Sequence, residues 1–258
     1  MSSVQLVSEQ RLDTFRKYAK DDQRAFELHN LTLQVGSTLM AIIALVELSL
    51  RNLADVRIAE DLGQSDWLRM PTHGLKLDDQ EKRAIKMAIQ HAQKAEYSKL
   101  TYAEKKQLDA TIYPHGVPQN IKHDTLSKKR QETFSVSHGQ IIAQTTIFFW
   151  KRLFSSDYDS ALWKRSLKKL FPQKSVARAD VAKHLEVLYS ARNRIAHHEP
   201  VYGERLDQAF EAVKFLRENL LRGKEDSSTV FLEFTEIQFH RLYIDYTAFK
   251  RSWSLLTL

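Results

Sequence analysis

Cysteine is absent from all 258 residues. Disulfides, thiol catalysis and cysteine-type zinc or iron–sulfur sites are therefore excluded, and a reducing cytoplasm suits the chain. Glycine (7) and proline (5) are scarce, which excludes collagen-like and low-complexity classes and leaves few forced helix stops. Alternating strand patterns with Asn-Gly turns are almost absent, whereas apolar residues recur at spacings of three and four, so an all-α fold is expected. Long hydrophobic runs are also missing. The most apolar stretch, Leu39 to Val46, is followed by Glu47 and Arg51; it is too short to span a bilayer, so it reads as a buried helix and no membrane association is expected. Residues 1–10 lack a basic stretch leading into an apolar one, which argues against a secretory signal and for a cytoplasmic location. What the chain has in excess is positive charge, +7 with a pI near 9.4, which favours polyanionic partners without naming one.

The spacing predicts a first helix over much of 8–29 and a long one from Leu31 to Leu62, stopped by Gly63. Asp78 with Glu81 three residues on resembles a capping box opening a charged, solvent-facing helix toward Lys99. Thr111 to Ser137 contains Pro114, Gly116, Pro118 and the run Lys128-Lys129-Arg130, a mixture that reads as a mobile loop or lid. Core helices are expected after Gly139 and around Trp163 to Phe171, then from Asp180 to Glu199 before Pro200, and from Leu206 to Leu220 with Gly223 as terminator. Val230 to Phe234 reads as a short strand.

One helix carries an anomaly. Its inward stripe is Val181, Leu185, Leu188, Arg192, Ile195, and an arginine in such a stripe demands a desolvated partner, because an unpaired buried charge is very costly. It is either a core arginine paired with a local carboxylate or an arginine holding a phosphate in a cleft, where its planar fork fits. Asn193, Arg194, His197 and His198 crowd the turn before Pro200. Arginine and histidine suffice for RNA cleavage, since RNA supplies its own 2′-hydroxyl nucleophile and the protein need only move protons and stabilise charge on phosphorus. A metal site at His197-His198-Glu199 is the rival reading, but neighbouring helix positions diverge and His-Glu-x-x-His is absent; no metal and no cofactor are expected. On a straight helix Arg192 and His197 point about 140° apart. They converge if the last turn unwinds or if two subunits share a cleft, and the second option predicts a homodimer. Glu47 and Arg51, one turn apart, should pair; they either neutralise one another or, with Asn52, support the site. Lys128, Lys129, Arg130, Lys164, Arg165, Lys168 and Lys169 are candidate RNA contacts. His184, two turns before Arg192, is a weaker candidate for supporting it.

Arg192-Asn193-Arg194-Ile195-Ala196-His197-His198-Glu199-Pro200 resembles the signature of HEPN ribonucleases in the form found in Abi-like abortive-infection proteins. Ala25 to Asn30, Glu47 to Asn52, and Gly139 through Trp150 to Phe171 are similar to other parts of that family. The resemblance implies a HEPN-type helical bundle that dimerises and cuts RNA without metal, with Arg192 holding the phosphate and His197 moving the proton. It implies a role in phage defence or as a toxin, restrained by a protein or RNA antitoxin. A module that binds RNA or protein without cleaving is the alternative. Where the family carries an aromatic pair near Asn30, this chain has His29. On this reading residues 1–224 form the helical domain, with an insert over about 64–137, and 225–258 form an accessory segment.

Overall fold

The computed structural model describes residues 8–70, 75–221 and 229–257. Every regular element among them is helical: α1 Glu9–Arg16, α2 Asp22–Leu62, α3 Asp79–Ser98, α4 Tyr102–Ile112, α5 His123–Glu132, α6 His138–Gln144, α7 Ile147–Leu153, α8 Arg178–Ala196, α9 Glu204–Leu216 and α10 Thr229–Thr257. Short 3₁₀ and π turns lie between α7 and α8 and after α9. The all-α expectation holds. The strand expected at Val230 to Phe234 does not form, since those residues belong to α10; a run of β-favouring residues yields to a long amphipathic helix when tertiary packing is helical. The N-terminal seven residues and Gly223 lie outside the described set.

The first helix boundary falls elsewhere than expected. The break is at 17–21, and Asn30 sits inside α2. Asp21 supplies the reason, because its carboxylate accepts from the Arg24 backbone N–H at 2.8 Å and so caps α2. Arg16 then ties the two helices by ion pairs to Asp13 and Asp22, each at 2.7 Å. Gly63, at φ 63, ends α2 as expected. Along α2 the buried residues Val35, Leu39, Ile42, Ile43, Val46 and Leu50 keep helical spacing. Its apolar character extends beyond Leu39–Val46: an 18-residue window has mean hydropathy 1.8, with 39% of it buried. By length and composition, α2 is thus apolar enough to cross a membrane, a test that the core helix of a soluble protein also passes.

Packing divides the chain into two groups, one of residues 1–53, 154–156 and 168–258, the other of 54–153 and 157–167. The second is wider than the insert expected at 64–137. In the first group α8 packs on α9, and α10 is held there by Tyr246 donating to Asp207 at 2.7 Å and by the Arg217–Glu236 pair at 2.6 Å. Thr38 of α2 donates to Asp245 of α10. Leu12, Phe15, Ala25 and Leu28 form a core cluster that Tyr202 and Trp253 cover, with those two rings stacked 5.0 Å apart. Gly36 meets α8, where an added Cβ would lie 3.8 Å from Ile195, an ordinary contact. Gly36→Ala should therefore raise stability by about 0.5–1 kcal/mol, the usual gain at a helix interior with room for the methyl; urea unfolding checks it, and a loss of stability would show that the helices are closer than this contact implies.

In the second group α3 packs against α5, α6 and α7. Trp67, Phe149 and Trp150 are buried together. His138 bridges Asp55 at 2.8 Å and Asp66 at 3.2 Å, and Trp67 Nε1 donates to Asp55 at 2.8 Å. The segment expected as a loop or lid over 111–137 contains α5, anchored by Arg130, which is buried and bidentate to Asp109 at 2.7 and 2.6 Å. The capping box expected at Asp78 and Glu81 is also replaced. Glu81 turns inward to Arg152 at 2.8 Å and accepts from the Tyr158 hydroxyl at 2.9 Å, and that hydroxyl accepts from the Asp78 backbone N–H at 3.1 Å.

Candidate functional site

The helix carrying the signature ends earlier and differently from expectation. α8 stops at Ala196, His197 follows at φ −94, ψ 12, and His198 adopts φ 56. The His198 N–H donates to Ile195 O at 2.9 Å and the Glu199 N–H to Arg194 O at 2.8 Å. Those two bonds define a Schellman end, in which the left-handed position is usually glycine; here histidine occupies it, at a conformational cost of about 1 kcal/mol. Arg194 locks the turn from outside, pairing with Glu199 at 2.9 Å and donating to Pro200 O at 3.2 Å. Val201 is buried just beyond.

This geometry assigns different tasks to the motif's residues. The buried stripe runs Val181, Leu185, Leu188, Ala191, so Arg192 lies at its half-buried rim. It therefore does not need the desolvated partner that its place in the stripe demanded. Among the described residues its only side-chain hydrogen bond is a long one, 3.4 Å, from Nη1 to Asn193 Oδ1, and it has no ion pair. The core-arginine reading thus lacks its carboxylate. His197 and His198 are exposed and their side chains make no hydrogen bond among the described residues. The His197 N–H still donates to Asn193 O at 3.1 Å, the regular helical bond. With that bond kept, the helix end does not swing His197 toward Arg192, and helical geometry sets the two about 140° apart.

The supporting residues are less favourably placed than expected. Arg51 makes no ion pair among the described residues, so the pair with Glu47 does not form, and its Nε is buried without a hydrogen-bond partner. Glu47 is half-buried and Asn52 exposed. At 1.5 Å per residue, Glu47 lies about 16 Å and Arg51 about 22 Å along α2 from Gly36, the point where α2 meets Ile195.

Most of the basic candidates are engaged within the fold. Arg130 is committed to Asp109, Lys129 pairs with Glu132 at 3.0 Å, Lys164 with Asp159 at 2.8 Å, and Arg165 with Asp61 at 3.3 Å. Lys168 donates to the carbonyls of Gln173 and Val176 at 2.8 and 2.7 Å. Lys128 and Lys169 make no ion pair among the described residues. His184 stacks on Phe215 with centroids 4.1 Å apart, which accounts for it structurally.

Burial, reinforced by Lys183, holds the His184 pKa below its ordinary value; burial and Arg11 do the same for His29. A base with a depressed folded pKa contributes stability that is lost as pH falls below its unfolded value, near 6.5, because the unfolded chain takes the proton first. Denaturant stability should thus fall between about pH 7 and pH 5, and His184→Phe, which keeps the stack, should flatten that slope; an unchanged slope would remove His184 from the account.

Among the described residues no group of three or more histidine or acidic side chains is arranged to hold a metal ion. No family model, curated protein or solved structure matches this chain.

Proposed function

We propose that the chain is a metal-independent endoribonuclease of the HEPN type, whose cleft combines Arg192 of one copy with His197 of another. The observation that carries this reading is the contrast within one turn. Arg194 is consumed by Glu199 and Pro200, while Arg192, half-buried and without an ion pair among the described residues, and the exposed His197 remain available at the helix end. In the reaction His197 takes the proton from the 2′-hydroxyl, whose oxygen bonds to phosphorus as the P–O5′ bond breaks. Arg192 neutralises the charge growing on the phosphoryl oxygens. The 5′-oxygen takes a proton from water and leaves as a 5′-hydroxyl, His197 gives its proton back to solvent, and the other strand end keeps a 2′,3′-cyclic phosphate. The resemblance of Arg192 to Pro200 to the Abi-like signature extends this proposal to a toxin or phage-defence role. The test is incubation of purified protein with end-labelled RNA in EDTA. Cyclic-phosphate and 5′-hydroxyl ends are expected, whereas bound but uncut RNA would leave only a binding module.

A further inference from the structure

Two cavities lie along α3, one beside Gln144 to Phe148 and the other beside α5. One, of about 500 Å³, is floored by Met87 and Phe148 and rimmed by Arg83, with the amides of Gln80 and Gln144. The other, of about 380 Å³, lies toward α5 and takes in Lys94 and Lys128. His91 lines both, and the two follow one another along α3 as a groove. Along α3 the residues Arg83, Met87, His91 and Lys94 succeed one another at spacings of three and four, a stripe about 16 Å long.

The groove's chemistry is specific. Among the described residues no carboxylate lines the first cavity. In the second, Glu132 is paired with Lys129 at 3.0 Å and Asp124 lies 3.7 Å from His123. Arg83, Lys94 and Lys128 have no ion pair among the described residues, and Arg83 donates only to the Asp79 carbonyl at 3.2 Å. Beside these cations is apolar surface that a soluble fold gains nothing by presenting: Met87 is 55% exposed. Lys151 sits over the Phe148 ring, 5.2 Å from its centroid, so a positive charge already marks the aromatic floor. Cations flanking an apolar, partly aromatic floor suit a ligand that alternates phosphates with flat unpaired bases. A duplex hides its base faces, and an acidic peptide has none.

We infer that the α3 groove binds single-stranded RNA, with bases on Met87 and Phe148 and phosphates on Arg83, Lys94 and Lys128. The choice of RNA over DNA rests on the function proposed above; the single-strand chemistry does not. The test uses full-length His197→Ala protein, so that cleavage cannot intervene, and a fluorescent twelve-residue oligoadenylate, with the same length of duplex RNA and polyglutamate as competitors. Met87→Glu should weaken binding about ten- to hundred-fold, since it removes an apolar contact to a base and adds a charge that repels the phosphates. Arg83→Gln and Lys94→Gln should each lower the salt dependence of the logarithm of affinity by roughly 1. Both duplex and polyglutamate should compete at least about ten-fold less well than unlabelled oligoadenylate. Unchanged binding in Met87→Glu, or polyglutamate competing equally, overturns the assignment. Cleavage is scored separately with the native His197: a wild-type protein that cuts nothing, while groove variants lose RNA, refutes the nuclease and leaves the groove standing.

Discussion

His197→Ala and Arg192→Ala should each lower metal-free RNA cleavage by about a thousand-fold while leaving the unfolding midpoint unchanged. The magnitude follows from the task the proposal gives each: a positioned proton-transfer group contributes about 10²–10⁴, and a preorganised charge at the developing oxyanion about 10²–10³. The unchanged stability follows from the structure. His197 is exposed and Arg192 sits at the rim of the core, with a single long bond to Asn193. Arg192→Lys should also fail, because a point charge cannot replace two fork donors on a phosphate. Arg194→Ala is the control with the opposite signature. It removes the ties to Glu199 and Pro200, so it should loosen the turn and lower stability together with activity. Equal cleavage by wild type and both alanine variants would remove the motif from the chemistry.

The largest effect on stability should come from Glu81. Its side chain is 1% exposed, and it joins the Arg152 guanidinium to the Tyr158 hydroxyl, which in turn takes the Asp78 N–H at the start of α3. Burial, with Glu81 adding to it, pushes the Tyr158 pKa up to about 12, so the hydroxyl remains a donor to the carboxylate throughout the ordinary pH range. Glu81→Ala takes from Arg152 its buried carboxylate and from the Tyr158 hydroxyl its acceptor. Breaking a buried ion pair from one side costs about 3–5 kcal/mol, and Arg152 keeps Asp157 at 3.0 Å and Asp78 at 3.7 Å, so the lower end, about 3 kcal/mol, is expected in urea unfolding. Tyr158→Phe should cost less, about 1–2 kcal/mol, as one hydroxyl is lost. A Glu81→Ala cost below about 1 kcal/mol would contradict the network.

Periodicity was enough to recognise the helical class, the end of α2 at Gly63, and the extents of α3 and α8 to within a few residues. Pairings over long sequence distances were not legible. Glu81 three residues after Asp78 has the spacing of a local cap, and nothing in that spacing shows that Arg152 and Tyr158, more than seventy residues on, take its carboxylate. The basic runs misled for a related reason, since Arg130 is held by Asp109 of the preceding helix and Arg165 by Asp61 of α2. Conversely, the α3 groove was hidden because Met87 and His91 look unremarkable until α5, α6 and α7 pack beside them. At the motif, Pro200 signalled a helix end, but histidine stands where glycine would mark a left-handed residue, so the position of the turn at His198 was not readable. That position matters most, because it leaves Arg192 and His197 on different sides of α8.

Complementation therefore tests the central claim most directly. Arg192→Ala and His197→Ala proteins are each inactive on the proposed reading; mixed in equal amounts and allowed to exchange subunits, half of the dimers are hybrids in which one of two clefts has both native residues. Cleavage in EDTA should return to about a quarter of the wild-type rate. A mixture as inactive as its components, although subunit exchange is verified, would contradict a cleft shared between two copies.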